Sequence, residues 1–314
     1  MNIIRVGREY AIACAQVDLL SRLHENFSAL PSSFELNDMF VIPIVESATV
    51  SVPGGLDSAH APPIPFHTIP ARWEAPPAEI TINFLYTPDT YWLLRLYNIS
   101  VYPNAGVDIL LVNRNTQGGF YFPSALARSL TLTFSSDRLL SVSVGFIAPM
   151  GFVVDDGGAP SYAPSASNAE FVRAFTCLLD DLYGMNPLSV VSLTLSVNNN
   201  IAPHHTMLAV PPVTDIDSVA VRAARIWTFG IPTVNATVRV FAQPSALPSY
   251  RNGMAAALQL AGYGLDFTSP LLEFAVSGVI QSVNTSVATQ DGVFYQVSIA
   301  GVGMDAATPP VVFP

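Results

Sequence analysis

Apolar and polar residues alternate strictly in several short stretches of this chain. EITINFLY (79–86) places Ile80, Ile82 and Phe84 on one face and Glu79, Thr81 and Asn83 on the other. SLTLTF (129–134) sets Leu130, Leu132 and Phe134 against Ser129, Thr131 and Thr133. SLTLSV (192–197) sets Leu193, Leu195 and Val197 against Ser192, Thr194 and Ser196. TVNATVRVF (233–241) opposes Val234, Ala236, Val238 and Val240 to Asn235, Thr237 and Arg239. A period of two marks an antiparallel strand with one packed face and one wetted face. The same reading places strands over 40–52, 107–113, 139–148, 170–179, 217–230, 271–280 and 293–300.

Helical patterns are few. TPDTYWLLRLYNI (87–99) has Thr87 placed to cap, Pro88 at the first helical position, and Leu93, Leu96 and Tyr97 on one stripe. LPSYRNGMAAALQLAG (247–262) offers Met254, Ala257, Leu258 and Ala261 at helical spacing, with Gly262 suited to the position just past the end. Residues 10–27 give a third, weaker helical pattern. Strand 79–86, helix 88–98 and strand 107–113 then match strand 233–241, helix 248–261 and strand 271–280 in order and length. GFVVDDGGAPSYAPSASN (151–168) lies between them with the composition of a linker.

This pattern predicts a mainly β protein of two related antiparallel sandwich or barrel domains, each with one short helix. The first domain spans 40–152 and contains a proline-rich extended loop (53–78). A linker (153–167) leads to the second domain (168–305). An N-terminal arm or helix (1–39) and a C-terminal tail (306–314) complete the chain.

Composition narrows the class. A chain of 314 residues, half of them apolar and 11% charged, can bury a real core and leaves a surface low in charge. Such surfaces usually end in interfaces, so self-assembly is expected. The net charge is −10 and all 13 basic residues are arginine, without the Lys/Arg clusters that grip phosphates. Arg5, Arg8, Glu9, Asp18 and Arg22 interrupt every apolar run near the N-terminus, and no run reaches the ~18 residues that span a bilayer. The sequence therefore reads as a protein made in a cytoplasm, with no membrane partner. Cys14 and Cys177 lie far apart in apolar stretches and read as buried thiols.

The search for chemistry returns little. His204 and His205 follow three asparagines in NNNIAPHH, but neighbours on an extended chain point opposite ways, and His24, His60 and His67 are scattered. Asp155–Asp156 and Asp180–Asp181 are likewise adjacent, not convergent, and Asp215 and Asp217 read as a turn into the next strand. GxSxG, Walker A and GxGxxG are absent. Trp73, Trp92 and Trp227 are spread over loop, helix and strand. The expectation is no enzyme, no cofactor and no metal. Asn198, Asn199 and Asn200 are best explained as a turn, where left-handed backbone and Asx-type hydrogen bonds favour them.

SLTLSVNNNIAPHHTMLAVPPVTDIDSVAVRAARIWTFGIPTVNATVRVFA (192–242) resembles the signature region of tail tube proteins of long-tailed phages. PSYRNGMAAALQLAG and LLEFAVSG continue in that family's order, and SLTLTFSSDRLLSVSVGFIAPMG (129–151) is similar to its paired strands. The likeness covers 79–300 and leaves 1–78 without a counterpart. It implies a virion protein that stacks as rings around a lumen through which double-stranded DNA passes without specific binding. A two-domain chain would form a trimeric, pseudo-hexameric ring. Ser129, Thr131, Thr133, Ser192, Thr194 and Ser196 would line a polar, acidic channel, and Asn198, Asn199, Asn200, His204 and His205 would belong to an assembly loop. Further copies, a tape measure and tail tip proteins would be its partners. A capsid decoration or baseplate protein, a carbohydrate-binding sandwich or adhesin, and a β-sandwich hydrolase are the other classes this sequence admits.

Overall fold

A computed structural model describes residues 2–6, 10–19, 39–52, 77–98, 104–113, 119–149, 152–154, 170–181, 184–204, 226–241, 252–288, 292–302 and 309–314. Sixteen strands join one antiparallel sheet, and two more form a separate ribbon. From the free end of the long path the sheet runs β1 (Asn2–Val6), β4 (Val45–Val52), β5 (Ala78–Leu85), β8 (Arg138–Ala148), β7 (Gly119–Ser135) and β11 (Gly184–Asn198). From β11 the path continues through β10 (Ala174–Asp181), β15 (Ala255–Tyr263), β16 (Leu272–Ala288), β17 (Gly292–Gly301) and β14 (Thr233–Phe241). β14 pairs back onto β11, which closes these last six strands into a barrel.

β7 belongs to two layers. Its C-terminal half pairs with β8 and β11, whereas its N-terminal half pairs with β6 (Ala105–Asn113) and β9 (Phe152–Val154). β6 in turn carries β2 (Tyr10–Asp18) and, beyond it, β3 (Phe40–Val41). The change of layer falls at Ser124, whose φ of 52° is left-handed and where the register with β6 shifts. Two buried groups hold the bend. The carboxylate of Asp108, 1% exposed, accepts from the hydroxyl of Tyr121 and from the backbone N–H of Ser124, each at 2.8 Å.

One apolar cluster runs through both halves of the chain. Ile80, Val144 and Leu132 from the first half join Leu195, Val238, Val276 and Ile299 from the barrel, all 0–1% exposed. Two hydroxyls also join the halves: Tyr86 donates to the carbonyl of Leu271 at 2.7 Å, and Tyr91 to that of Pro314 at 2.5 Å. The C-terminal residues are part of the fold. β18 (Val311–Val312) pairs with β16, and Phe313 packs on Phe274 with ring centroids 5.9 Å apart.

Three expectations from the sequence are corrected. The helix expected over 247–262 is not formed where the chain is described: 255–263 is strand β15, with Ala256, Leu258 and Leu260 facing the barrel core. Its alanines satisfy a helical stripe and a strand alternation equally, and pairing on both edges, with β10 and β16, decides for the strand. Gly262 serves close packing here, since a Cβ would stand 2.9 Å from Val172 Cγ1. The helix expected over 10–27 is strand β2 as far as Asp18, and 20–27 lies outside the described residues. With the second helix gone, the strand–helix–strand repeat between the halves does not hold.

The helix expected over 87–99 is present but short: a 3-10 turn (Pro88–Thr90) leads into α1 (Tyr91–Arg95), with Leu93, Leu94 and Tyr97 buried. The strand expected over 40–52 breaks at 42–44 into β3 and β4. Of the strand expected over 217–230, 226–230 is described, and β13 (Ile226–Phe229) forms there as the partner of β12 (Ile201–His204). Within the expected arm β1 and β2 are sheet strands, and the first residues of the expected linker belong to β9. The proline-rich 53–76 and the remaining linker, 155–167, lie outside the described residues.

Candidate functional site

The wetted faces of the alternating strands fall in register. Across β4, β5, β8, β7, β11, β14 and β17, Ser47, Asn83, Ser143, Thr131, Ser196, Asn235 and Ala300 stand opposite one another in turn. A second row runs Ser141, Thr133, Thr194, Thr237, Ser298 and on to Ser282 of β16. A third holds Thr49, Thr81, Gly145, Ser129, Asn198 and Thr233. Directly opposed side chains sit ~5 Å apart, close enough for hydroxyls and amides to pair laterally. Asn83 Nδ2 donates to Ser47 Oγ at 2.8 Å, and the hydroxyls of Thr237 and Ser298 lie 3.3 Å apart. Gly145 keeps the third row level, because a Cβ there would meet Ser129 Oγ at 2.2 Å.

The six residues expected to share a function, Ser129, Thr131, Thr133, Ser192, Thr194 and Ser196, are therefore brought together on the one face formed by β7 and β11. All are half-buried or exposed, while the alternate residues beneath them, Leu130, Leu132, Phe134, Leu193, Leu195 and Val197, are 0–2% exposed.

Charge on this face is sparse and balanced. Among the described side chains it consists of Glu46, Glu79, Arg128 and Arg239. Glu79 and Arg128 form an exposed ion pair, Glu46 accepts from Ser141 Oγ at 3.1 Å, and the guanidinium of Arg239 lies 4.4 Å from the ring centre of Phe294. At the turn beside it, the Ser135 hydroxyl holds the Asp137 carboxyl below its usual range, helped by a backbone hydrogen bond and by Arg138. The resemblance implies an acidic face; among the described side chains, the two carboxylates and two guanidiniums on these rows balance.

The three asparagines close the upper border of the face, each in its own way. Asn198 Oδ1 accepts from the backbone N–H of Asn200 at 2.9 Å, an Asx turn. Asn200 takes the left-handed conformation (φ 49°) and its Nδ2 donates to the carbonyl of Ile231 at 2.6 Å. Asn199 is fully buried, its Nδ2 donating to the carbonyl of Ala127 at 2.8 Å. This turn directs β12 and β13 back onto the sheet, where Ile201 packs with Leu126 and Ile147 and Trp227 joins from the side.

His204 lies in β12, its side chain undescribed, and His205 lies outside the described residues, as do His24, His60, His67, Asp155, Asp156, Asp215 and Asp217. Asp180 stands exposed on β10. Among the described residues no cluster of histidine, cysteine and carboxylate residues could hold a metal ion. Both thiols are buried: burial raises Cys177 to about 12, and burial, then the nearby Asp108 charge, raises Cys14 further. No helix of the described residues is long and apolar enough to cross a membrane, which says nothing of a strand-built span.

Sequence reading missed the Asp108–Tyr121–Ser124 cluster. Its one visible signal is a lone carboxylate within GVDILLV, a run otherwise suited to full burial. Comparison of the chain with protein-family models and with curated proteins returns no match.

Proposed function

We propose that this is a structural virion protein of tail-tube type, whose copies meet side by side in rings and whose hydroxyl and amide face lines the channel of the stacked rings. The observation that carries this reading is the face itself. It spans seven strands, offers hydroxyl and amide groups at nearly every row position, and presents balanced charge among its described side chains to anything that moves along it. A DNA backbone meets no cationic track there and so has nothing to release counterions from. Both halves of the chain contribute, β4, β5, β8 and β7 from the first and β11, β14 and β17 from the second, so a trimeric ring would draw its wall from six half-chains. Seven strands at ~4.8 Å cover about 30 Å, and three such faces would close a wall about 90 Å around, wide enough for a nucleic-acid duplex. Other copies, a tape measure and tail tip proteins would then be the partners, and the phage tail its place.

Electron microscopy of the purified full chain tests the reading. Rings or tubes are expected, with a maleimide–gold label on a Thr194→Cys variant found inside the channel. Persistent monomers, or a label on the outer wall, would overturn it.

A further inference from the structure

Where β14 finishes, the polar face ends in a cluster unlike its rows of hydroxyls. Phe241, 46% exposed, closes the wetted side of β14 and meets Phe294 of β17 edge-on, with ring centroids 5.6 Å apart. The Arg239 guanidinium lies 4.4 Å from the centre of the Phe294 ring and makes no ion pair among the described residues. The register carries the cluster onto β16, where Ser286 stands opposite Phe294, and Asn284 opposite Gln296, the partner of Arg239. Gln296, Asn284 and Ser286 are exposed. Two aromatic rings, a stacked cation and two amides thus share one corner of the face.

We infer that this corner is a stacking platform for unpaired nucleobases, which holds single-stranded nucleic acid and lets a duplex pass. Aromatic faces and guanidinium planes accept any base, because every base has a π-face. A guanidinium resting on a ring keeps its N–H donors for base edges, and the amides of Gln296 and Asn284 offer donors and acceptors to the same edges. A duplex turns its base faces inward and gives Phe241 nothing to stack on. Local charge suits a polyanion. Ser192 and Ser135 follow Arg239 in register towards β7, and the turn beyond them sets Arg138 beside Asp137, so two guanidiniums accompany one carboxylate. Asp180 stands apart, opposite Met185 and roughly 20 Å along β11 from Ser192. A neutral glycan would gain nothing from this cationic balance, which favours the nucleic acid. That the corner opens into a channel rests on the proposed function, whereas the stacking needs only one folded chain.

The test follows fluorescein-labelled oligothymidylate by anisotropy as the full-length protein is added. Binding is expected. An abasic strand of equal length, the same strand paired with oligoadenylate, and the F241A variant should each show binding about tenfold weaker. F241W, with a larger ring, should bind at least as tightly as the parent, and the strand should quench its added indole emission. F229A removes an exposed ring at the opposite end of β14 and should keep the parent's affinity. An abasic strand bound as tightly as oligothymidylate would mean charge alone and overturn the platform. So would F241A binding like the parent, F241W emission left unquenched, an equal loss in F229A, or no binding of any strand. A chitooligosaccharide held by the parent and released by F241A, with no oligonucleotide bound, would make the corner a sugar site and overturn it too. Rings labelled inside the channel but blind to oligothymidylate would sink the platform and spare the channel reading. Strand binding by a chain that never forms rings would do the reverse.

Discussion

Replacing Asp108 by alanine should remove the clamp that lets β7 serve two layers. The carboxylate accepts from Tyr121 and Ser124, and both donors are buried, at 1% and 6% exposure. Each orphaned donor costs ~1–3 kcal/mol, so the pair sets a range of about 2–6 kcal/mol. Removing the carboxylate also removes its own desolvation cost, which places the expected loss near the lower half of that range, about 3 kcal/mol. Asp108→Asn keeps one carbonyl oxygen for the Ser124 N–H, and the Tyr121 hydroxyl can rotate to accept from the new amide. The Asn variant should therefore lose only about 1–2 kcal/mol. Equilibrium urea unfolding, followed by both tryptophan fluorescence and far-ultraviolet circular dichroism, measures the two losses. If Asp108→Ala lies within about 0.5 kcal/mol of the parent, or the Asn variant loses as much as the Ala variant, then the bend is not held by these bonds.

Three further outcomes follow from the same structure. Burial raises both thiols, Cys177 to about 12 and Cys14 beyond, so the unfolded chain loses its thiol protons first. Their contribution is whole below the unfolded value near 9 and falls above it by up to about 1.4 kcal/mol per pH unit for each thiol; unfolding midpoints between pH 7 and 11 should show this, and a C14A/C177A variant should flatten it. At Asn200, glycine keeps the left-handed turn and loses one hydrogen bond, whereas alanine loses both, so N200A should cost about 1–2 kcal/mol and N200G less; equal thermal shifts would contradict the turn's role. Phe313→Ala, at a site 2% exposed against Phe274, should cost about 3–5 kcal/mol by calorimetry, and a loss below about 1 kcal/mol would show that the C-terminal strand packs only loosely.

What the sequence made legible was the face, and what it hid was the fold's continuity. Strict alternation in 79–85, 129–134, 192–197 and 233–241 reports which side of a strand is wet, because a one-residue slip would expose every leucine. That signal needs no knowledge of neighbours. Pairing does need it. AAALQLAG reads as helix or strand until β10 and β16 flank it, since alanine and leucine suit either. The bend at Ser124 was equally silent: FPSAL gives no alternation, and the group that fixes it, Asp108, arrives from another strand. Nor could periodicity show that Tyr86 and Tyr91 reach across to Leu271 and Pro314, for such bonds follow from tertiary approach alone.

If the polar face lines a channel as proposed, the balance of its described charges bears on how DNA would pass. An acidic wall repels phosphates and so holds a duplex away from itself, an effect that salt screens within a Debye length of ~8–10 Å. A wall of threonine, serine and asparagine with paired charges does neither. Its Glu79–Arg128 pair is already satisfied, and Arg239 is drawn over Phe294, so neither arginine stands ready as a phosphate anchor. Sliding past such a surface exchanges one water-like hydrogen bond for another, at small net free energy in either direction. Passage would then be almost insensitive to ionic strength. Introducing lysine at Thr131 and Thr194, opposite Ser143 and Thr237, would create the cationic track that the native rows lack, and with it a salt-dependent grip on DNA.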